Sequence, residues 1–228
     1  MRKYLLSFIL LAISHVGYSQ LSVGVAGGYT NNTLDADAGY YEREYLSMDG
    51  YSVAIPIQYS FNNWFALRTE VGYMTKSYRW DRGYIEDVYE YQIVAEYGEH
   101  RNGYLSLPVM ANFGYGGERW RAFVNVGAWV GAWLDGRVRT DALDVFNYQL
   151  NYADNRYEFD SQRDNRFDAG LLCGIGAEYR VCEQIGLFVE GRYMYGVTDM
   201  QKSYRESYPR YNTTILVQLG VMYSFNLK

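Results

Sequence analysis

Three short motifs in the chain each place an acidic and a basic residue two positions apart. They are Arg68 with Glu70, Glu178 with Arg180, and Glu190 with Arg192. Residues two apart point to the same face of a β-strand, so each motif would direct both of its charges to one side. The six residues could close into one buried network in which Glu178 and Arg192 are partners or share one. Such a network either conducts protons or ions or, as we expect, fills an interior in which charges must be paired.

Hydrolytic chemistry would need a nucleophile and a base within hydrogen-bond reach. His100, one of two histidines in the chain, lies near Ser106 and Glu99 in the sequence, and such groups could together hydrolyse a lipid. Strand alternation, however, points Ser106 inward, whereas Glu99 and His100 lie in a polar segment. Two cysteines and two histidines also leave few ligands for a metal. We therefore expect no enzymatic activity, no metal and no cofactor.

Tyrosines and acids are concentrated in two polar segments, residues 32–49 and 81–103, which hold 11 of the 26 acidic residues. Tyrosine rings are amphipathic and are enriched in recognition surfaces. Seven of them form a candidate binding surface: Tyr40, Tyr41, Tyr45, Tyr84, Tyr89, Tyr91 and Tyr97. In the alternative interpretation, most of these rings brace hairpins or form an aromatic girdle.

The elements that must position these residues are β-strands, because apolar residues alternate with polar or small ones. Val53, Ile55 and Ile57 share one face, while Ser52, Ala54 and Gln58 share the other. The same pattern predicts eight strands: Leu21 to Tyr29, Ser52 to Phe61, Phe65 to Met74, Tyr104 to Tyr115, Arg121 to Leu134, Asp168 to Val181, Ile185 to Tyr195, and Thr213 to Leu227. Each is long enough to cross a bilayer as a tilted strand.

The connections between the strands indicate a closed transmembrane barrel. Short turns at 62–63, 116–118 and 182–184 alternate with long polar segments at 32–49, 81–103, 137–167 and 197–212. This asymmetry is typical of outer-membrane barrels and would put both termini in the periplasm. A soluble barrel with an apolar ligand pocket is disfavoured, because glycines and charges occupy the face opposite the apolar one. The alternative topology has ten strands, with Val88 to Tyr97 and Val145 to Tyr152 as further crossings.

The N-terminus has the features of a signal peptide. Arg2 and Lys3 precede the apolar stretch Tyr4 to Ile13, and Gly17 and Ser19 offer small residues for cleavage before Gln20. We expect a signal peptide at 1–19 and one barrel domain at 20–228. Loss of Arg2 and Lys3 lowers the basic count from 21 to 19 against 26 acids, so a nucleic-acid partner is disfavoured.

Four strand motifs, at 104–109, 170–179, 192–199 and 219–225, carry a resemblance to a known family. In order and spacing they resemble the PorT-like outer-membrane β-barrel family of Bacteroidetes across the whole mature chain. The resemblance implies an eight-stranded barrel in the cell outer membrane that the outer-membrane assembly machinery inserts. It implies little chemistry, and the namesake of the family is tied to protein secretion. This chain departs from the family pattern in its longer, Tyr-rich loops.

Two classes of function follow from these features. In the first, the barrel is a structural anchor in outer-membrane lipid, and its loops contact an extracellular or envelope protein or a glycan. In the second, the barrel is an accessory of an envelope secretion or transport machine. A channel is disfavoured because inward side chains fill the lumen of so small a barrel.

Overall fold

The computed structural model describes residues 20–36, 43–82, 94–144, 149–202 and 210–226. The predicted signal peptide therefore lies outside the described residues. The secondary structure consists of ten strands: β1 (Gln20–Ala36), β2 (Arg43–Ser60), β3 (Phe65–Thr75), β4 (Tyr78–Arg82), β5 (Val94–Gly116), β6 (Trp120–Asp144), β7 (Gln149–Arg156), β8 (Phe167–Arg180), β9 (Ile185–Gly196) and β10 (Arg210–Asn226). Across the described ranges, no helix has the length and apolarity needed to span a membrane.

Eight of these strands close into an antiparallel ring in the order β1, β2, β3, β5, β6, β8, β9 and β10. β10 closes the ring by pairing with β1 from Gln20 opposite Asn226 to Ala36 opposite Arg210. β4 continues the path of β3 between β2 and β5, after two residues, Lys76 and Ser77, that interrupt the strand. The predicted eight-stranded barrel is thus confirmed.

The ten-stranded alternative is wrong, because neither of its extra crossings joins the ring. Val94 to Tyr97 is the beginning of β5, and residues 149–152 belong to β7. Among the described residues, β7 pairs with residues 137–144 of β6, beyond the part of β6 that pairs with β8. We call this end of the barrel, opposite the short turns, the outer end. Residues 88–93 and 145–148 lie outside the described part of the chain. The described parts of these stretches, residues 94–97 and 149–152, therefore lengthen strand pairs beyond the ring.

Side chains alternate between an apolar outer wall and a packed interior. β9 shows the alternation most simply, because every second residue from Gly186 to Gly196 is buried and most of the residues between them are exposed. Val53, Ile175 and Leu219 are each more than half exposed on the outer wall. A continuous apolar surface around the ring is unfavourable in water and suits contact with lipid hydrocarbon.

The interior contains two apolar layers separated by polar groups. The layer nearer the short turns consists of Ala26, Phe123, Phe188 and Met222. Glycines make room for its rings, since a Cβ at Gly176 would lie 2.3 Å from Phe123, and one at Gly220 would lie 2.3 Å from Phe188. The larger layer, toward the outer end, is rich in aromatics and includes Tyr78, Tyr104, Trp129 and Trp133.

Candidate functional site

Four charged side chains meet across the barrel between the two apolar layers. Arg68 and Glu70 project from β3, and Glu190 and Arg192 project from β9, which does not neighbour β3 in the ring. All four side chains are at most 3% exposed. We call this group the lumen charge cluster. Its two acids and two bases balance in formal charge.

Arg192 is the hub of the lumen charge cluster. Its guanidinium donates to both Glu70 oxygens, with Nη1 at 3.0 Å from Oε2 and Nη2 at 2.8 Å from Oε1. It also donates to both Glu190 oxygens, with Nε at 2.9 Å from Oε1 and Nη2 at 3.0 Å from Oε2. Arg68 Nη2 lies 3.0 Å from Glu70 and 3.7 Å from Glu190, as ionic contacts without well-directed hydrogen bonds. The Arg68 guanidinium also stacks 4.2 Å from the centre of the Phe188 ring.

Buried amides complete the hydrogen bonding of the cluster. Asn125 Nδ2 donates to Glu190 at 2.8 Å, and Gln218 Nε2 donates to Glu190 at 3.0 Å and to Glu70 at 3.4 Å. Asn112 in turn donates to Asn125 at 2.7 Å. Sequence reasoning missed these three residues because they carry no charge. Their positions on the inward face of the predicted strands were the only signal available.

The other two residues of the predicted network lie elsewhere. Glu178 is near the short-turn end, where its closest base is Arg121 at 3.7 Å, and Arg180 is exposed there. The predicted contact between Glu178 and Arg192 is wrong, because the strand register puts Glu178 opposite Phe188 and Arg192 opposite Gly174. Four residues of strand, roughly 13 Å, separate the two levels.

A second buried ion pair lies nearer the outer end. Lys76, in the break between β3 and β4, places Nζ 2.8 Å from Asp168 Oδ2, and the two side chains are 1% and 4% exposed. Asp168 also accepts from Thr198 at 2.7 Å and from Asn212 at 3.0 Å. The Lys76 ammonium lies 3.4 Å from the centre of a Trp129 ring. Sequence reasoning missed this pair because its members are 92 residues apart and neither belongs to a charged motif.

Only part of the candidate tyrosine surface lies in the described residues. Tyr45 is half-buried and packs edge-on against Tyr78, with 5.8 Å between ring centres. Tyr97 lies on β5 opposite Asp81 and Asp141. Tyr40, Tyr41, Tyr84, Tyr89 and Tyr91 lie outside the described ranges, so their role in binding stays a prediction.

His100 lies in an aromatic cluster above the lipid-facing part of β5. Its ring stacks on Tyr78 at 5.1 Å and contacts the edge of Tyr157 at 5.5 Å. Burial, aided by the nearby positive charge of Arg210, lowers its pKa to about 4, so the ring is neutral at pH 7. Ser106 is six residues farther along the same strand, a separation of roughly 20 Å. The structure therefore does not bring these candidate hydrolytic groups together.

A comparison with known protein families identifies the fold. A family model described as an outer membrane protein beta-barrel domain matches residues 14–202. No curated protein matches the chain. Among solved structures, it is similar to the attachment invasion locus protein Ail of Yersinia pestis, with 14% identity, coverage of 90% of this chain and 98% of Ail, and a TM-score of 0.36.

Two further solved structures show the same likeness. Neisserial surface protein A matches at 17% identity over 89% of this chain and 97% of its own, with a TM-score of 0.43. The outer membrane protein OprG of Pseudomonas aeruginosa matches at 10% identity over 93% of this chain and 97% of its own, with a TM-score of 0.47.

Proposed function

Because the chain belongs to the outer membrane protein beta-barrel domain family, we propose that it is a sealed anchor that presents a binding surface outside the cell. The protein lies in the outer membrane and contacts its lipid. In this proposal the signal peptide 1–19 is removed, both termini face the periplasm, and the outer-membrane assembly machinery inserts the barrel. The longer hairpins then face the medium.

The observation that carries the proposal is the closure of the interior at two levels. The lumen charge cluster blocks one level with side chains that are at most 3% exposed. Lys76 and Asp168, packed against Trp129, block the next. Every carboxylate in the cluster is paired with a guanidinium, so the buried charges satisfy one another and offer no relay of free acceptors. A barrel of this kind has no open lumen for transport, which favours a role for its outer surface.

The outer end supports such a role. Strands β5 and β6 remain paired as far as Val94 and Asp144, well beyond the lipid-facing stretch. Their outer parts carry Tyr97 and join the aromatic cluster around His100. The candidate surface formed by Tyr40, Tyr41, Tyr45, Tyr84, Tyr89, Tyr91 and Tyr97 would extend this end of the molecule toward a protein or glycan partner.

A second candidate function, as an accessory of a secretion or transport machine, is favoured by the periplasmic mouth. A polar recess of about 310 Å³ opens among the short turns and is lined by Gln58, Arg121, Glu178 and Arg180, among others. A periplasmic protein segment of complementary charge would fit such a recess. This role agrees with the resemblance to the PorT-like family.

Trimming the loops distinguishes the two functions. In a strain lacking the protein, we would express a variant with residues 37–42 and 83–93 replaced by short Gly-Ser linkers, beside a second variant with Arg180→Ala and Glu178→Ala. Folding of each barrel is checked by its heat-dependent shift on a detergent gel. If the protein is a surface binder, the loop-trimmed variant fails to restore the wild-type envelope phenotype, whereas the variant with Arg180→Ala and Glu178→Ala restores it. Loss in the second variant alone would overturn the proposal in favour of the accessory role.

A further inference from the structure

A cavity of about 210 Å³ lies at the outer end of the barrel, above the Lys76–Asp168 pair. We call it the outer pocket. Three aromatic side chains, Tyr78, Trp133 and Tyr157, line part of it, but more of its exposed wall is polar than apolar. The polar part comes from His100, Arg163, Asp164, Gln201 and Arg210. Ligand sites commonly combine apolar walls with a few convergent polar groups. Its volume is below the range for drug-sized ligands and suits a single ring.

The floor of the outer pocket is held by hydrogen bonds between segments distant in sequence. Asn165 N donates to the Met200 carbonyl at 2.9 Å, and Met200 N donates to the Arg210 carbonyl at 3.1 Å. The Asp199 carboxylate accepts the backbone N–H groups of Gln201 and Arg210 at 3.0 and 3.1 Å. These bonds join the segment before β8, the segment after β9 and the start of β10. The cavity is therefore shaped before a ligand arrives, which lowers the entropic cost of binding.

Of the charged side chains that line the outer pocket, Arg163 and Asp164 form a pair, and Arg210 has no partner within the described residues. The carboxylate of Asp164 is fully engaged, because it accepts from Arg163, from the Tyr157 hydroxyl and from the Asp160 backbone, each at 2.8 Å. Arg163 and Asp164 thus neutralise each other. The side chain of Arg210 has no ion pair or hydrogen bond within the described residues, which do not include its preceding neighbours 203–209. His100 Nδ1 is likewise buried without a hydrogen-bond partner among the described residues.

We propose that the outer pocket binds a six-membered sugar ring that carries a carboxylate, such as a hexuronic acid. The Arg210 guanidinium offers the paired donors that match a carboxylate. The Gln201 amide offers a further donor and acceptor for ring hydroxyls, while the aromatic side chains would contact the C–H faces of the ring. The inference deepens the proposed function and rests on it, since it names a ligand class for the surface outside the cell. The sugar is either free or the end residue of a glycan.

Titration of the purified full chain, folded in detergent micelles, tests the assignment. The probes are glucuronate, its methyl β-glycoside as a mimic of a glycan end, glucose and benzoate, with isothermal titration calorimetry and tryptophan fluorescence as readouts. Ligands with so few atoms bind in the millimolar range. We expect glucuronate to bind at least tenfold more tightly than glucose or benzoate. Binding of the methyl glycoside as well assigns the site to glycan ends, and binding of glucuronate alone assigns it to the free acid.

Variants locate the binding. Arg210→Gln should weaken glucuronate binding by about tenfold, because it removes a charged hydrogen bond. Arg156→Gln, at an exposed arginine of β7 outside the pocket, should leave it unchanged. The heat-dependent gel shift reports whether each variant is folded. Equal binding of glucose and glucuronate, tighter binding of benzoate, no saturable binding, or wild-type affinity in a folded Arg210→Gln variant would each overturn the inference. These outcomes concern the pocket alone, whereas failure of the proposed function would appear in the loop-trimming experiment.

Discussion

Replacing Arg192 by leucine should be among the most destabilising single changes in the barrel. Arg192 makes four hydrogen bonds of 2.8–3.0 Å to Glu70 and Glu190, and its side chain is 1% exposed. Its loss leaves two neighbouring carboxylates with Arg68 as the one remaining base of the cluster. Breaking a buried pair by removing one partner costs about 3–5 kcal/mol. We expect a decrease of that size in the free energy of unfolding.

A second substitution, at Glu70, tests whether the loss of stability in Arg192→Leu comes from the unpaired charge. Adding Glu70→Gln to Arg192→Leu keeps the shape of the acid and restores the balance, since Arg68 and Glu190 remain 3.7 Å apart. The double variant should therefore regain about 2 kcal/mol relative to the sum of the two single changes. Arg180→Leu, at the exposed mouth, is the control for loss of an arginine and should change stability little.

Urea titrations of the barrel in lipid vesicles are followed by tryptophan fluorescence in the folding and unfolding directions. They supply the unfolding free energies of the wild type, Arg192→Leu, Glu70→Gln, the double variant and Arg180→Leu. Agreement of the two directions shows that the values are at equilibrium. Strictly additive losses in the double variant would refute the reasoning, because they would mean that Glu70 and Arg192 do not stabilise each other. A small loss in Arg192→Leu, similar to that of Arg180→Leu, would refute it as well.

Three further predictions address other parts of the molecule. The pKa of His100 is about 6.5 in the unfolded chain and about 4 in the folded protein. Protonation therefore favours unfolding, so the aromatic cluster around His100 should be fully stable above pH 6.5 and lose stability as the pH falls toward 4. Hydrogen exchange should show this, and His100→Phe should remove it. Lys76→Met leaves Asp168 as an unpaired buried acid and should cost about 3 kcal/mol in urea titrations, whereas adding Asp168→Asn should recover part of the loss. Finally, Cys182 is exposed in the turn between β8 and β9. In a Cys173→Ser background, a membrane-impermeant maleimide should label Cys182 only after the outer membrane is permeabilised. Ser161→Cys, in the segment before β8, should instead react in intact cells. The reverse pattern of labelling would contradict periplasmic termini.

The strands could be predicted because each carries its own pattern. Alternating residues such as Val53 and Ile55 define an apolar face locally, and the turn at 62–63 sets the next strand beside it. The alternation also showed which charges point inward. It could not show that β5 and β6 stay paired as far as Val94 and Asp144, because the alternation in Val88 to Tyr97 equally suits a separate membrane crossing.

The partners inside the barrel could not be predicted, because they depend on the height at which inward residues meet. That height is set by the stagger of all eight strands, which no local pattern contains. Glu178 and Glu190 both point inward, yet one lies at the mouth and the other reaches Arg192. Closure of the ring likewise brings Lys76 and Asp168 to the same height, although 92 residues separate them in the sequence.

Conductance across a planar lipid bilayer tests most directly whether the barrel is sealed and therefore acts through its outer end. The purified chain, inserted at high yield and verified by its gel shift, should produce no steady current steps, because the lumen charge cluster and the Lys76–Asp168 pair close the interior at two levels. The same should hold for the loop-trimmed variant, since the seal lies within the barrel. A stable open channel with the conductance of a porin in either protein would contradict the account.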